Sequence, residues 1–174
     1  MRAGVRRAVP ADAQEWVACY LDALAAAYDD LMPSQFADVQ RARERELVVD
    51  KAASFGAAPQ APVQGWVAQP DGLVVAVAQV STAPTRWEAE RGLPPASTPC
   101  QLEKLYARPQ ALGTGVGQAL LDAAVGEDPA YLWLVDGNAR AAAFYRRNGF
   151  RPDGVETTGG PSWFGRRMVR LHRR

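Results

Sequence analysis

Residues 105–121 read Leu105-Tyr106-Ala107-Arg108-Pro109-Gln110-Ala111-Leu112-Gly113-Thr114-Gly115-Val116-Gly117-Gln118-Ala119-Leu120-Leu121. An apolar strand gives way to a glycine-rich turn, and the turn opens an amphipathic helix. Glycines at every second position, Gly113, Gly115 and Gly117, remove Cβ atoms, so backbone N–H groups can come close to a ligand. The helix that follows aims the positive end of its dipole at the same point. Such a turn is an anion cradle, most often for phosphate; a tight strand-to-helix turn without a ligand is the competing reading. The spacing removes two familiar phosphate sites. A dinucleotide fingerprint needs G-x-G-x-x-G near the start of a βαβ unit and an acidic residue about 20 positions on. A P-loop needs a Lys-Ser or Lys-Thr pair, and the chain has neither.

A chain of 174 residues corresponds to one domain spanning 1–174. Its composition, 48% hydrophobic and 22% charged, is that of a globular protein with a full core. With 20 basic and 19 acidic residues the net charge is +1, too small for non-specific nucleic-acid binding. The apolar runs, Val74 to Ala78 and Tyr131 to Val135 among them, fall far short of the about 20 residues a membrane span needs. Arg2, Arg6 and Arg7 are followed by no apolar segment of signal-peptide type, so a cytoplasmic protein is expected. Cys19 and Cys100 are the only cysteines and His172 the only histidine, which argues against disulfides, His-dependent nucleophilic triads and a metal site.

Val5 to Ala8 reads as a strand. Pro10 opens a helix on which Trp16, Tyr20, Leu24, Tyr28 and Leu31 recur at helical spacing, until Pro33 breaks it. Ser34 caps a second helix running to about Lys51. Gly65–Gln69 and Leu73–Val80 form a hairpin around Pro70-Asp71-Gly72. The proline-rich stretch 84–99 reads as a long loop, of the length that is often functional or mobile. Gln101–Ala107 is a strand, and a helix covers Val116 to Val125. Tyr131–Val135 is a strand buried on both faces. Asn138 caps a helix over 139–148 that Gly149 ends. Two strands close the chain, one near Phe150 or beyond Pro152 and one from Trp163 to Leu171, with 157–162 between them. The order β-α-α-β-β-β-α-β-α-β-β predicts an α/β (α+β) fold: a mixed, mostly antiparallel twisted sheet flanked by helices.

Two segments together carry a resemblance. The run Leu-Tyr-Ala-x-Pro-x-x-x-Gly-x-Gly-Val-Gly-x-x-Leu-Leu resembles the acetyl-CoA motif of the GCN5-related N-acetyltransferase (GNAT) family. Residues 134–150, with the pattern N-x-x-A-x-x-F-Y-x-x-x-G-F from Asn138, resemble its second motif. The resemblance implies an acyltransferase with acetyl-CoA as co-substrate and a primary amine of a small molecule or peptide as acceptor, attacking the thioester directly. A non-catalytic acyl-CoA-binding module is the alternative. It further implies that Leu105, Tyr106 and Ala107 line the pantetheine arm and that Gly113, Thr114, Gly115, Val116, Gly117 and Gln118 cradle the pyrophosphate. Asn138 would hydrogen-bond the pantetheine, and Tyr145 would stand near the sulfur. Leu112 departs from the pattern, because the family often has Arg or Gln there. No nucleic-acid or membrane partner is expected, and the chain would act as a monomer or homodimer.

The chemistry of acyl transfer selects further candidates. An amine of pKa near 10.4 is neutral about once in 10³ at pH 7, so a base is needed. Gln101 and Glu103 share a strand face, and only Glu103 can take a proton; Glu88 and Glu90 are rival carboxylates. Backbone N–H groups of the 101–107 strand, that of Ala107 among them, can hold the developing oxyanion. Tyr145 can protonate the leaving thiolate. Tyr28–Phe36 and the loops 84–99 and 157–163 would shape the acceptor cleft, with Trp87, Trp163 and Phe164 as wall residues.

Overall fold

The computed structural model describes residues 4–58, 61–83 and 85–174; Arg2, cited above for the N-terminus, and Pro84, the start of the long loop, lie outside them. Seven strands form one sheet: β1 (Val5–Arg7), β2 (Val63–Ala68), β3 (Ala76–Ser81), β4 (Gln101–Ala107), β5 (Ala130–Val135), β6 (Arg151–Thr158) and β7 (Arg167–Arg173). Their spatial order is β1-β2-β3-β4-β5-β7-β6. Every neighbouring pair is antiparallel except β4 with β5, which run parallel. The expected fold class is the one found.

Strand alternation divides the core between two helices. Helix α1 (Ala13–Tyr28) buries Trp16, Val17, Tyr20, Leu21, Leu24 and Tyr28 on one side of the sheet, against Val67, Val77 and Val135. The indole N–H of Trp16 donates to the Trp66 carbonyl at 3.1 Å, so the buried ring has its polar atom satisfied. On the other side Ala68, Ala76, Ala78 and Leu102 receive the Val116, Leu120 and Leu121 face of the helix that follows the glycine turn. The alanines of β3 let that helix come close.

The helices between the outer strands differ from the sequence reading. The helix expected from Ser34 to Lys51 is two: α2 (Phe36–Arg41), entered without a side-chain cap at Ser34, and α3 (Glu44–Phe55). The break at Ala42 and Arg43 turns α3 back across α1. The proline-rich stretch holds a short helix, α4 (Arg86–Glu90). Helices α5 (Val116–Ala124) and α6 (Ala139–Arg147) stand where expected. Strand β3 begins only at Ala76, and β7 runs from Arg167 to Arg173 rather than from Trp163, because a 3-10 turn, Pro161–Trp163, occupies that corner.

Gly65 in β2 lies under the Phe55 ring; an added Cβ would stand 2.3 Å from Phe55 Cε1. Gly65→Val is expected to destabilise the fold by about 1–3 kcal/mol through overpacking. Urea denaturation checks this, and Phe55→Leu in the same background should recover part of the loss.

Candidate active site

Strands β4 and β5 pair at one position, Gln101 with Tyr131, where the Tyr131 N–H donates to the Cys100 carbonyl at 2.9 Å. Beyond that pair they part. Helices α5 and α6 begin just past the carboxyl ends of these two strands, so both N-termini face the gap, the usual place for a ligand in such sheets. The gap is a cleft of about 420 Å³.

The cleft walls contain Glu103, Leu105, Tyr106, Ala107, Gly113, Gly115, Gly117, Gln118, Asn138 and Tyr145. Two candidates stand apart. The Thr114 hydroxyl donates to the Ala111 carbonyl at 2.7 Å, and the Val116 side chain is buried in the core. Of their backbone N–H groups, that of Thr114 is already given to the Ala111 carbonyl at 3.4 Å, and that of Val116 can serve a ligand.

The glycine turn is built as an open cradle. Gly113 and Gly115 have φ of +78° and +87°, which an L side chain adopts only with strain, and an added Cβ at either would meet nothing within 4 Å. The Ala119 N–H is the first in α5 to find a partner, Gly115 O at 3.0 Å. Among the described residues, no acceptor faces the N–H groups of Gly113, Gly115, Val116, Gly117 and Gln118. Five unpartnered donors at a helix start have the make-up of an anion site. Arg140 and Arg147, each about one turn from Phe144 on α6, also line the cleft, and neither is in an ion pair among the described residues. Leu112, 39% exposed, stands at the rim.

On β4 the Arg108 N–H just past the strand donates to Val75 O at 2.9 Å. Donors alternate along an antiparallel strand, so the Ala107 N–H points away from β3, into the cleft. Glu103 sits at a bulge: Leu102 is opposite Val80, Lys104 is opposite Gln79, and Glu103 is the extra residue. Its carboxylate accepts a short hydrogen bond from Gln79 Nε2. Gln79 is 3% exposed, and its Oε1 has no partner.

Tyr145 projects from α6 with its ring edge-on to Phe144 and Phe150, at centroid distances of 5.4 and 5.6 Å. Burial, with Tyr28 nearby, pushes its phenol well above the ordinary value, so it stays protonated. Burial raises the Tyr28 phenol on α1, and the neighbouring Tyr106 and Asn138 side chains pull it back. Asn138 has two tasks: Oδ1 accepts the Ala141 N–H at 3.1 Å and caps α6, while the side chain reaches Tyr28. This link between α1, β4 and α6 joins residues far apart in sequence, and no local pattern announces it.

The rival carboxylates fall elsewhere. Glu88 is tied to the Trp133 indole and to the Tyr131 hydroxyl, which it meets at 3.0 Å, and Glu90 pairs with Arg86 at 2.6 Å on the surface. Of the aromatic wall candidates, Trp163 packs between Tyr28 and Phe36 in the core, and Trp87 stacks near Trp133. Phe164 is 40% exposed in a left-handed conformation at φ +50°.

A profile for the acetyltransferase (GNAT) domain matches residues 62–152, more than half of the chain. The chain belongs to the GNAT family. Membership brings acetyl-CoA as co-substrate. Solved structures agree at the level of the fold. The PaiA N-acetyltransferase of Thermoplasma acidophilum, in complex with coenzyme A, is 12% identical with a TM-score of 0.69, over 98% of this chain and 97% of that one. A GCN5-related N-acetyltransferase of Rhodopseudomonas palustris is 15% identical with a TM-score of 0.70, over 99% and 96%. The histone acetyltransferase HPA2 and related acetyltransferase of Corynebacterium glutamicum is 25% identical with a TM-score of 0.65, over 99% and 96%. Comparison with curated protein sequences gives no significant match. Among the described residues of this GNAT chain, no helix is long and apolar enough to cross a membrane, and no cluster of three metal-binding side chains occurs.

Near Glu103, Lys51 of α3 is buried. Burial first, and the Lys104 ammonium second, pull its pKa from 10.5 down to about 8, against weaker opposing pulls from Glu103 and Asp50. Between those two values the unfolded chain holds a proton that the folded chain has released, so stability rises with pH across that window. Buried groups with raised pKa values, Cys19 at about 11 among them, pull the other way in the same window, so the signature is a difference: in urea denaturation the stability of Lys51→Met should rise less, or fall more, across it than that of the wild type.

Proposed function

We propose that this chain is an acetyl-CoA-dependent N-acetyltransferase that moves an acetyl group to a primary amine by direct attack on the thioester. The observation that carries this reading is the set of five unpartnered N–H groups at the head of α5, beside a cleft that also holds Glu103, the Ala107 N–H and Tyr145. The donors fit a pyrophosphate. Arg140 and Arg147 supply positive charge that a leucine at position 112 does not.

When bound, acetyl-CoA supplies an activated acetyl group on a thioester. The chain's own residues do the rest. The Glu103 carboxylate takes a proton from the acceptor amine, directly or through one water. The Gln79 amide, donating to Glu103, holds that carboxylate in place. The Ala107 N–H donates to the carbonyl oxygen as it gains charge. The Tyr145 hydroxyl donates its proton towards the departing sulfur. Its raised pKa keeps it a hydrogen-bond donor and makes full proton transfer dependent on the site once filled. The apolar cleft walls, Leu105, Leu132 and Phe144, exclude water from the thioester.

Acetyl-CoA at 100 times its Kd should stabilise the protein by about 2.7 kcal/mol, read as a thermal shift that ATP and NAD do not reproduce. Absence of a shift at millimolar acetyl-CoA would remove this reading. Thiol release over a panel of amines separates an enzyme from a binding module. Glu103→Gln should lower kcat by about 10²–10⁴-fold and flatten the limb of the pH–rate profile that reports the base. Tyr145→Phe should lower kcat by about 10² while leaving the acetyl-CoA thermal shift in place.

A further inference from the structure

Lys51 and Lys104 are the only lysines in the chain; every other basic side chain is arginine, apart from His172. The fold brings both to one place. Lys104 is the residue after the bulged Glu103 and lies opposite Gln79. Its ammonium lies 5.6 Å from the centre of the Tyr20 ring. Lys51, 8% exposed, places its ammonium 5.8 Å from the Trp16 ring, and Trp16 and Tyr20 are neighbours on α1 with ring centres 5.7 Å apart. The Lys104 charge acts on Lys51, and Glu103 is the carboxylate that acts on both.

Neither ammonium forms an ion pair or a hydrogen bond with a described residue. Asp50 influences Lys51 only at a distance, and Arg43, itself paired with Glu46, adds to the positive field at Lys104. Lys51 is buried and Lys104 half-buried, and neither ammonium nitrogen is among the sealed, unpartnered side-chain atoms of the described residues, so both stay within reach of a ligand. Two like charges held together over aromatic rings, with no carboxylate at ion-pair distance, favour an anion from outside the chain. Next to them is the Glu103 carboxylate, which lines the cleft and, beyond the hydrogen bond it accepts from Gln79, has acceptor capacity left for an amine. One end of the cluster is open to N–H groups and the other to a negative charge.

We infer that the acceptor is an amine that also carries a carboxylate, its amino group at Glu103 and its carboxylate at Lys51 and Lys104. This rests on the N-acetyltransferase reading and names the substrate class of that same site. Free amino acids are the simplest members of the class. Polyamines are disfavoured, since their second cation would meet the lysines.

The test is thiol release from acetyl-CoA with the proteinogenic amino acids, each as free acid and as carboxamide, and with spermidine. At least one free acid should exceed its own amide by 10-fold or more in kcat/KM, and that ratio should collapse in Lys104→Met and in Lys51→Met. The variants' melting temperatures and acetyl-CoA thermal shifts establish that they are folded and loaded. Equal use of acids and amides, preference for spermidine, turnover of no free acid, or an acid-to-amide ratio unchanged in both variants overturns the inference while leaving acetyl transfer standing. A wild-type protein that gives no acetyl-CoA shift overturns the proposed function instead. Thermal shift with the free acids and amides alone then decides the anion site separately: stabilisation by an acid beyond its amide, lost in Lys51→Met, upholds it, and no difference overturns it.

Discussion

Strands β4 and β5 share a single residue pair, and the separation that follows opens the middle of the sheet. A strand edge inside a sheet is ordinarily satisfied by its neighbour. Here the edge of β4 beyond Gln101 faces a cleft, and the crossover through α5 leaves two helix N-termini at its mouth. The opening connects the two cores: Tyr145 and Phe150 belong to the side that packs α5, Tyr28 and Tyr106 to the side that packs α1. A ligand in the gap therefore touches both layers, and the Tyr28 contacts to Tyr106 and Asn138 fasten those layers next to it.

The rest of the molecule keeps this opening in shape. Arg170, 3% exposed on β7, donates to Asp153 on β6 and to the Pro94 carbonyl, both at 2.6 Å, and its guanidinium lies over the Tyr131 and Trp133 rings. Glu88 reaches the same two aromatic residues from α4. The proline-rich segment is thereby fastened to β5 and β7 from two directions. Removing either partner of the Arg170–Asp153 pair would strand a buried charge, which is why such pairs resist change more than their net stabilisation suggests.

Much of this was legible in the sequence, and the exceptions have physical reasons. The glycine turn, the helix cap at Asn138 and the apolar run of β5 are local signals, and each forms the element it announces. The strand count and the mixed sheet follow from them. The split between α2 and α3 was hidden because the residues at the break, Ala42 and Arg43, are good helix formers; packing across α1 bends the chain there. Helix α4 is one short turn-rich segment held by the Glu88 carboxylate, a tertiary contact with no periodic trace. The bulge at Glu103 leaves no mark on a pattern of period two, yet it sets Glu103 and Lys104 together. Of the site, the cradle was readable from spacing, whereas Arg140, Arg147, Tyr28 and the lysine cluster depend on contacts between distant segments.

On the proposed reading the cradle at Gly113–Gln118 grips through backbone donors and holds a part of the co-substrate that the reaction leaves untouched. Its grip is the same before and after the acetyl group departs. Binding shared equally by ground state and transition state lowers KM without speeding the chemical step. The spent coenzyme is held as firmly as the fresh one, so the feature that recruits the donor also retards its release. Turnover in such a protein is bounded by how readily the cradle lets go.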